Sequence, residues 1–283
     1  MLHAASRFEE CIEKCRESIR LLERAGDLWE ANTARVHLAF SFHHLGFLSA
    51  AANEAQKVYL SGLEQGDIQA SGFCLDVWAK STGGQVPLEI LQRELQRPRI
   101  NLHQVSAQIS VAEGVRLFML DRVEEAAVVF EEAHQIVTKA GVDNPYVRPL
   151  LPWLASALRR QAEKSKQATA GDRPALLKRA MKVARRALRV SRTFQNDLPH
   201  SLRECGLIAA LQGRVRLARE YLDESLAVAD RQGARFEHAQ SLLARGQIGQ
   251  QHGWPEAQQD LTTARQALRT LGAEFALDDA AES

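Results

Sequence analysis

Small and apolar residues recur along the chain at fixed distances from a series of turn positions. Four candidate turn residues each follow a small residue by seven positions: Gly46 after Ala39, Asp121 after Gly114, Gly213 after Gly206, and Gly253 after Gly246. Four or five positions beyond each turn an alanine begins a second set, with steps of four and three: Ala51, Ala55 and Val58; Ala126, Phe130 and Ala133; Ala218, Leu222 and Ser225; Ala257, Leu261 and Ala264. Since 3.6 residues complete a helical turn, each set lies on one helix face. The pattern predicts stacked helical hairpins with close contacts at the small residues.

Glycines mark the predicted helix ends. They lie eight residues after the last inner position of the preceding helix, at Gly26, Gly66, Gly141, Gly233 and Gly272. Glycine accepts the left-handed conformation that closes a final helical turn, and asparagine is the next most tolerant residue, so a further helix is predicted to end at Asn196. The long interval between Gly66 and Gly141 predicts an extra pair, with one helix over 68–82 and a short one between Pro87 and Pro98.

This spacing resembles the tetratricopeptide repeat over most of the chain. The match is clearest over Ala112 to Ile136, over Glu204 to Ala234 and over Gly246 to Leu268. Aliphatic residues replace most of the Trp and Tyr of the family's first helix, and the repeats exceed the typical length of about 34 residues. Longer repeats of this kind look like the helical sensor regions of large bacterial signalling ATPases, such as the maltose regulator, and the C-terminal regions of serine/threonine kinase and ATPase fusions.

The resemblance implies one all-α domain over 1–283, a right-handed α-α superhelix of about 12 to 13 antiparallel helices. The expected hairpins cover roughly 6–45, 48–97, 101–141, 144–197, 198–233 and 234–272, followed by a disordered tail at 273–283. The chain is already helical in pattern by about Arg7, which is typical of a segment from a longer protein.

Composition points to an ordered protein without a general preference for nucleic acid or membranes. The 36 basic residues nearly balance the 35 acidic ones, and four scattered cysteines are too few for a disulfide framework. No stretch approaches the roughly 18 uninterrupted apolar residues of a membrane span, so a cytoplasmic protein is predicted.

The familiar motifs of catalysis and cofactor binding are absent from the sequence. No Gly is followed by Lys, which excludes a Walker loop here, and neither G-x-G-x-x-G nor G-x-S-x-G occurs. Cys11 and Cys15 share a helix face, but zinc needs four ligands, and both fall on inner positions of the repeat. His43 and His44 precede a predicted helix end, where imidazole can interact with the last carbonyls, and this role is favoured over metal binding. Glu131, Glu132 and His134 fit a solvated face. No catalytic residue, cofactor or metal site is predicted.

One segment departs from charge balance. Between Arg148 and Arg203, 14 Lys or Arg residues face three acids, a net charge of +11. One helix face in this segment is entirely basic: Lys178, Lys182, Arg185, Arg189 and Arg192. Such a stripe is a solvated face or a surface for an acidic protein segment, nucleic acid or an anionic membrane. Nucleic acid is disfavoured because no aromatic residues alternate with the charges.

Two functions remain in view from sequence. The first is a non-catalytic scaffold whose concave surface binds a protein, a peptide or another domain of the same polypeptide, as in the regulatory region of a larger kinase or ATPase. Candidate residues for that surface are polar positions on the first helices of the pairs: Asn32, Arg35, Gln104, Gln108, Arg203, Gln240 and Arg245. The second is a small-molecule sensor, which requires an enclosed pocket. An enzyme is the weakest hypothesis because no nucleophile and base are paired. The sequence does not indicate an oligomeric state.

Overall fold

The structure is a computed structural model that describes residues 2–165 and 173–277. This part of the chain is helical, with no β-strand. Its α-helices are α1 (Phe8–Ala25), α2 (Leu28–His44), α3 (Leu48–Gln65), α4 (Ala70–Phe73), α5 (Leu75–Ser81), α6 (Leu88–Gln96), α7 (His103–Met119), α8 (Val123–Lys139), α9 (Leu150–Lys164), α10 (Arg173–Ser191), α11 (Leu198–Leu211), α12 (Val215–Gln232), α13 (Arg235–His252) and α14 (Ala257–Thr270). Short 3₁₀ helices cover His3–Ala5, Gln195–Asp197 and Glu274–Ala276.

The predicted turns and helix ends adopt the left-handed backbone that the spacing requires. Gly46 has a φ of 81°, and the equivalent Asp121, which is not a glycine, has a φ of 58°. Left-handed geometry also closes the helices at the predicted stop positions: Gly26, Gly66, Gly141, Gly233 and Gly272. The repeat register read from the sequence is therefore confirmed at these points.

Close contacts occur where the repeat places its small residues. A methyl group added at Gly114 would lie 2.3 Å from the Phe130 ring, and one added at Gly206 would lie 2.9 Å from Leu222. The same relation joins the fourth pair, Gly246 and Leu261. In each of these hairpins the glycine opposes the residue eight or nine positions beyond the turn in the second helix, so the two helices approach without a side chain between them. Neighbouring hairpins repeat this packing, which makes the fold an all-α helical-repeat solenoid.

Six helices form an inner layer. Each contacts the next, in the order α2, α5, α7, α9, α11 and α13, and α13 returns to contact α2. The contact joins the start of α13 to the end of α2: Arg235 Nε donates to the Leu45 carbonyl at 2.7 Å, and its guanidinium lies 4.5 Å from the Phe47 ring centre. The last 3₁₀ helix reinforces this seam, since Phe275 packs against Gly83. The seam therefore closes the inner layer around a central space.

Three details differ from the sequence prediction. Helix α10 ends at Ser191 rather than Asn196, which is buried and donates from Nδ2 to the His3 carbonyl at 2.8 Å. The helix predicted over 68–82 is interrupted at Cys74. Disorder from 273 onward is wrong for 273–277, because Ala273 is buried and a 3₁₀ helix follows. The remainder of that expected tail, 278–283, lies outside the described residues.

None of the described helices combines the length and apolar character needed to cross a bilayer.

Candidate functional site

The inner layer surrounds a partly open cavity of about 830 Å³. Its walls come from α2, α5, α7, α9, α11 and α13, with further contributions from Arg173 and from the 3₁₀ helix at Glu274–Ala276. Polar and charged side chains are abundant among the lining residues, although a solenoid core is normally apolar. Ligand pockets commonly enclose about 300 to 1,000 Å³, so the cavity is large enough for a small molecule or a short peptide segment.

Buried ion pairs line the end of the cavity next to the seam. Lys80 on α5 is 8% exposed, and its Nζ lies 3.3 Å from Asp76 Oδ2. Arg203 on α11 pairs with Glu237 at the start of α13 and donates to Gln240 Oε1 at 2.8 Å. The Lys80–Asp76 pair lies within α5, whereas the Arg203–Glu237 pair links α11 to α13. Charges buried in this way are retained because each has a partner.

A further set of ion pairs lies in the cavity wall between α9 and α11. Arg159 on α9 donates from Nε to Glu204 Oε2 at 2.8 Å and from Nη1 to Glu163 Oε1 at 2.9 Å. The pair joins α9 to α11, and both Arg159 and Glu204 are buried. The Arg159 guanidinium therefore forms ion pairs with two carboxylates, those of Glu163 and Glu204.

Ser156 and His200 form the nearest approach to a nucleophile and base in the cavity. Ser156 Oγ lies 2.9 Å from His200 Nε2, and because the two residues are 44 positions apart in the sequence, no local pattern indicates this contact. The serine hydroxyl also lies 3.1 Å from the Pro152 carbonyl, which can accept its hydrogen. Glu204 approaches Nε2 at 4.0 Å, the nitrogen that faces the serine, whereas a triad carboxylate orients the opposite ring nitrogen. The contact joins two helices and lacks the geometry of a triad.

The histidines around the seam are held neutral. Burial lowers the pKa of His43 to about 3, and the nearby charge of Lys80 adds to the effect. Burial likewise holds the pKa of His3, His44 and His200 well below the ordinary histidine value. His43 Nδ1 lies 3.0 Å from Ser81 Oγ, so this ring links α2 to α5. The two histidines considered as metal ligands in the sequence are thus buried side chains of the seam.

Asp197 is the cavity acid without a partner. It belongs to the 3₁₀ helix Gln195–Asp197 and lines the cavity just before α11. Among the described residues, no hydrogen bond or ion pair reaches its carboxylate. Burial raises the pKa of Asp197 to about 7; Lys80 opposes this rise, while Glu237 and Asp76 add to it. Sequence inspection missed Asp197, which was counted there only as one of three acids in a basic segment.

Aromatic rings form part of the same wall. Trp153 on α9 lines the cavity with Phe118 and Phe236. The Trp153 ring centre lies 5.2 Å from that of His200 and 5.6 Å from that of Phe118, both edge to face. The cavity therefore combines an unpaired acid, neutral imidazoles and aromatic surface.

The residues predicted for the concave surface divide into two groups. Arg203 and Gln240 line the cavity. The others do not, and they bond between helices elsewhere: Asn32 to Ser61, Arg35 to Glu23 and Glu54, Gln104 to Asn144, Gln108 to the Phe73 carbonyl, and Arg245 to Asp223 and Asp260. Polar residues on the first helix of a pair therefore include both cavity-lining residues and residues that form hydrogen bonds outside the cavity. The sequence alone does not distinguish these two groups.

The basic stripe lies on α10 and just beyond its end. All five members are exposed: Lys178, Lys182, Arg185, Arg189 and Arg192. Within the described part of the chain none of them forms an ion pair, whereas the neighbouring Arg179 pairs with Glu131 at 2.5 Å. The stripe is on the opposite layer from the cavity, because α10 contributes only Arg173 to the cavity wall.

The remaining candidates from the sequence lie in the helical core or on a helix surface. Cys11 and Cys15 are buried as predicted, with their Sγ atoms 3.8 Å apart. Glu132 is exposed and His134 is half-buried on α8. No cluster able to hold a metal ion occurs among residues 2–165 and 173–277.

Comparison with known proteins yields a structural likeness only. The sequence matches no protein-family model, and no curated protein is significantly similar to it. Among solved structures, the chain is similar to BtubC (BKLC) from P. vanneervenii, at 16% sequence identity and a TM-score of 0.47, over 94% of this chain and 92% of that chain. A likeness at this level supports no conclusion about function.

Proposed function

We propose that this chain is a non-catalytic regulatory module built from tetratricopeptide-like repeats, in which the central cavity binds a ligand. The observation that carries the proposal is the partly open central cavity of about 830 Å³, lined by polar groups and aromatic rings. A concave site of this size with convergent polar groups favours a small-molecule sensor over a scaffold for a long peptide. The spacing of the repeats and the glycine contacts support the tetratricopeptide-like interpretation.

The position of the cavity suggests how binding would be reported. Its seam end includes His43 and Lys80 from the first third of the chain and Arg203 and Phe236 from the last third. A ligand that contacts both sides binds the closed solenoid more tightly than an opened one, and therefore shifts the population toward closure. This coupling suits the regulatory region of a larger signalling protein, such as a kinase or an ATPase.

A matched pair of variants on α13 tests cavity binding. Gln247 lines the cavity and is half-buried, whereas Gln250 on the same helix is exposed and does not line it. Gln247→Trp should fill the cavity and abolish retention of small molecules, measured by native mass spectrometry after equilibration with a metabolite mixture. Gln250→Trp should retain the same molecules as the unaltered protein. Equal retention by both variants, or no retention by the unaltered protein, would contradict the proposal.

A second role, binding of an acidic protein segment, is favoured by the basic stripe on α10 and just beyond its end, which forms no ion pair within residues 2–165 and 173–277. Five exposed cations without acidic partners repel one another, and an acidic segment would relieve that repulsion. Changing Lys182, Arg185 and Arg189 to Glu should leave folding intact and abolish binding of a glutamate-rich peptide at low salt.

The control for that experiment changes the same charge elsewhere. Arg20, Arg24 and Arg265 are exposed on other helices, and their triple Glu variant should still bind the peptide. If both triple variants lose binding equally, the stripe has no special role.

A further inference from the structure

We propose that the cavity recognises an ammonium group. Asp197 would be the counter-ion, and the neighbouring aromatic wall would contact the apolar part of the ligand. This inference rests on the proposed ligand-binding function of the cavity and specifies the chemistry of its ligand.

The local backbone leaves the Asp197 carboxylate free. Asp197 occupies the N-cap position of α11, where an aspartate usually accepts a hydrogen bond from one of the first backbone amides. Here the side chain makes no capping bond. Pro199 lies at the second position of the helix and has no amide hydrogen, which removes one of the two usual donors. The carboxylate therefore remains available to the cavity that it lines.

The charges around Asp197 leave an excess of one negative charge at this end. Three acids, Asp76, Asp197 and Glu237, are accompanied by two cations, Lys80 and Arg203. Further titratable groups on the surrounding elements are the neutral histidines His3, His43, His44 and His200, and the paired set Arg159, Glu163 and Glu204. Every cation in this group is paired with an acid, so Asp197 is the charged side chain of this set without an opposite charge. The other cations that line the cavity are Arg160, Lys164 and Arg173, on α9 and at the start of α10.

The protonation behaviour of Asp197 agrees with a missing cation. Burial, with Glu237 and Asp76, outweighs the opposing charge of Lys80 and raises the pKa of Asp197 to about 7. A cation placed against the carboxylate would favour its ionised form and lower that pKa. Binding of an amine that is protonated near neutral pH is thus coupled to ionisation of Asp197.

The aromatic wall provides the second part of the recognition. His200 lies three residues beyond Asp197, and its ring is in edge-to-face contact with Trp153. Trp153 and Phe118 present apolar surface to the same cavity. Aromatic faces attract organic cations as well as apolar groups. An amine with a hydrocarbon body satisfies both features, whereas a sugar would leave the carboxylate without a counter-charge.

Three probes share a benzyl group and differ in charge: 2-phenylethylamine, 2-phenylethanol and phenylacetate. They distinguish a cavity that binds cations from one that binds neutral or anionic ligands. Binding to the full chain is measured by isothermal titration and ligand-observed NMR. The amine should bind, and the alcohol and carboxylate should bind at least about tenfold more weakly, which corresponds to about 1.4 kcal/mol. Asp197→Asn should weaken amine binding by a similar factor.

Asp230→Asn is the matched control, because that side chain is 70% exposed on α12. It should leave amine affinity unchanged. Amine affinity should also rise about tenfold from pH 6 to pH 8, as the ionised fraction of a group with a pKa near 7 increases, and Asp197→Asn should lose this dependence. A peptide experiment tests whether the ammonium group can be a peptide amino terminus. Phe-Ala-Ala with a free amino terminus is compared with its acetylated form, and the acetylated form should not bind.

The outcomes distinguish this inference from the function beneath it. If the alcohol or the carboxylate binds as tightly as the amine, or if Asp197→Asn has no effect, the ammonium inference is wrong while ligand binding by the cavity stands. If none of the probes binds, the ammonium inference is overturned, and the Gln247→Trp and Gln250→Trp comparison then decides independently whether the cavity binds anything.

Discussion

Gly114→Ala is the sharpest perturbation of the repeat packing. Gly114 lies inside α7, where alanine is ordinarily favoured over glycine by about 1 kcal/mol. The added methyl group would, however, lie 2.3 Å from Cε1 and 2.5 Å from Cζ of Phe130. Carbon atoms prefer separations of about 3.5 to 4.0 Å, so the ring or the helix must move by about 1 Å. Phe130 is fully buried, which leaves the ring little space.

The two effects oppose each other, and the contact should dominate. Overpacking typically costs about 1 to 3 kcal/mol, and this contact belongs at the upper end, so the net destabilisation after the helical gain is about 2 kcal/mol. For a chain of this size such a loss lowers the melting temperature by roughly 4 to 8 °C. The measurement is thermal and urea unfolding of the variant beside the unaltered protein.

Two further variants separate crowding from a general effect. Phe130→Leu shortens the opposing side chain, and Gly114→Ala in that background should cost less than half as much. Gly213→Asn changes a turn glycine with open space around it, at the position where Asp121 already adopts the left-handed backbone, and should be nearly neutral. A Gly114→Ala protein as stable as the original, or more stable, would refute the proposed packing register.

Two other predictions concern the cavity charges. Arg159→Met should cost about 3 to 5 kcal/mol in urea unfolding because it strands the buried Glu204, whereas Arg216→Met, on an exposed pair, should cost less than about 0.5 kcal/mol; equal losses would contradict the assigned burial. The melting temperature of Asp197→Asn, measured relative to that of the unaltered protein, should rise between pH 4 and pH 8. The folded protein holds the Asp197 proton up to a pKa of about 7, while the unfolded chain releases it near 4, so the unaltered protein loses stability across that window; a constant difference would contradict this.

Much of the fold could be predicted from the sequence because helix periodicity and glycine placement are local properties. The contacts of Gly114 and Gly206 with the second helix follow from residue spacing alone. Asn196 shows the limit of that reasoning. It was expected to end a helix, but it bonds instead to His3, a residue 193 positions away that only the closed solenoid brings near.

The candidate site was predicted far less well. Closure of the inner layer requires α13 to contact α2. The position of α13 relative to α2 results from the small rotations between all the successive hairpins, and no local sequence pattern specifies those rotations. Arg203 and Gln240 were identified by polarity, yet the same criterion selected Arg245, which pairs with Asp260 instead. Asp197 was missed because its significance lies in the absence of a partner, and partners can be assigned only in three dimensions.

A crystal structure of the full chain with bound 2-phenylethylamine would show directly whether the closed solenoid holds an ammonium ligand. We expect a closed solenoid, with α13 against α2, and ligand density in the cavity with its nitrogen within hydrogen-bond distance of the Asp197 carboxylate. An open solenoid with α2 and α13 apart, or a cavity without ligand at saturating concentration, would contradict this expectation.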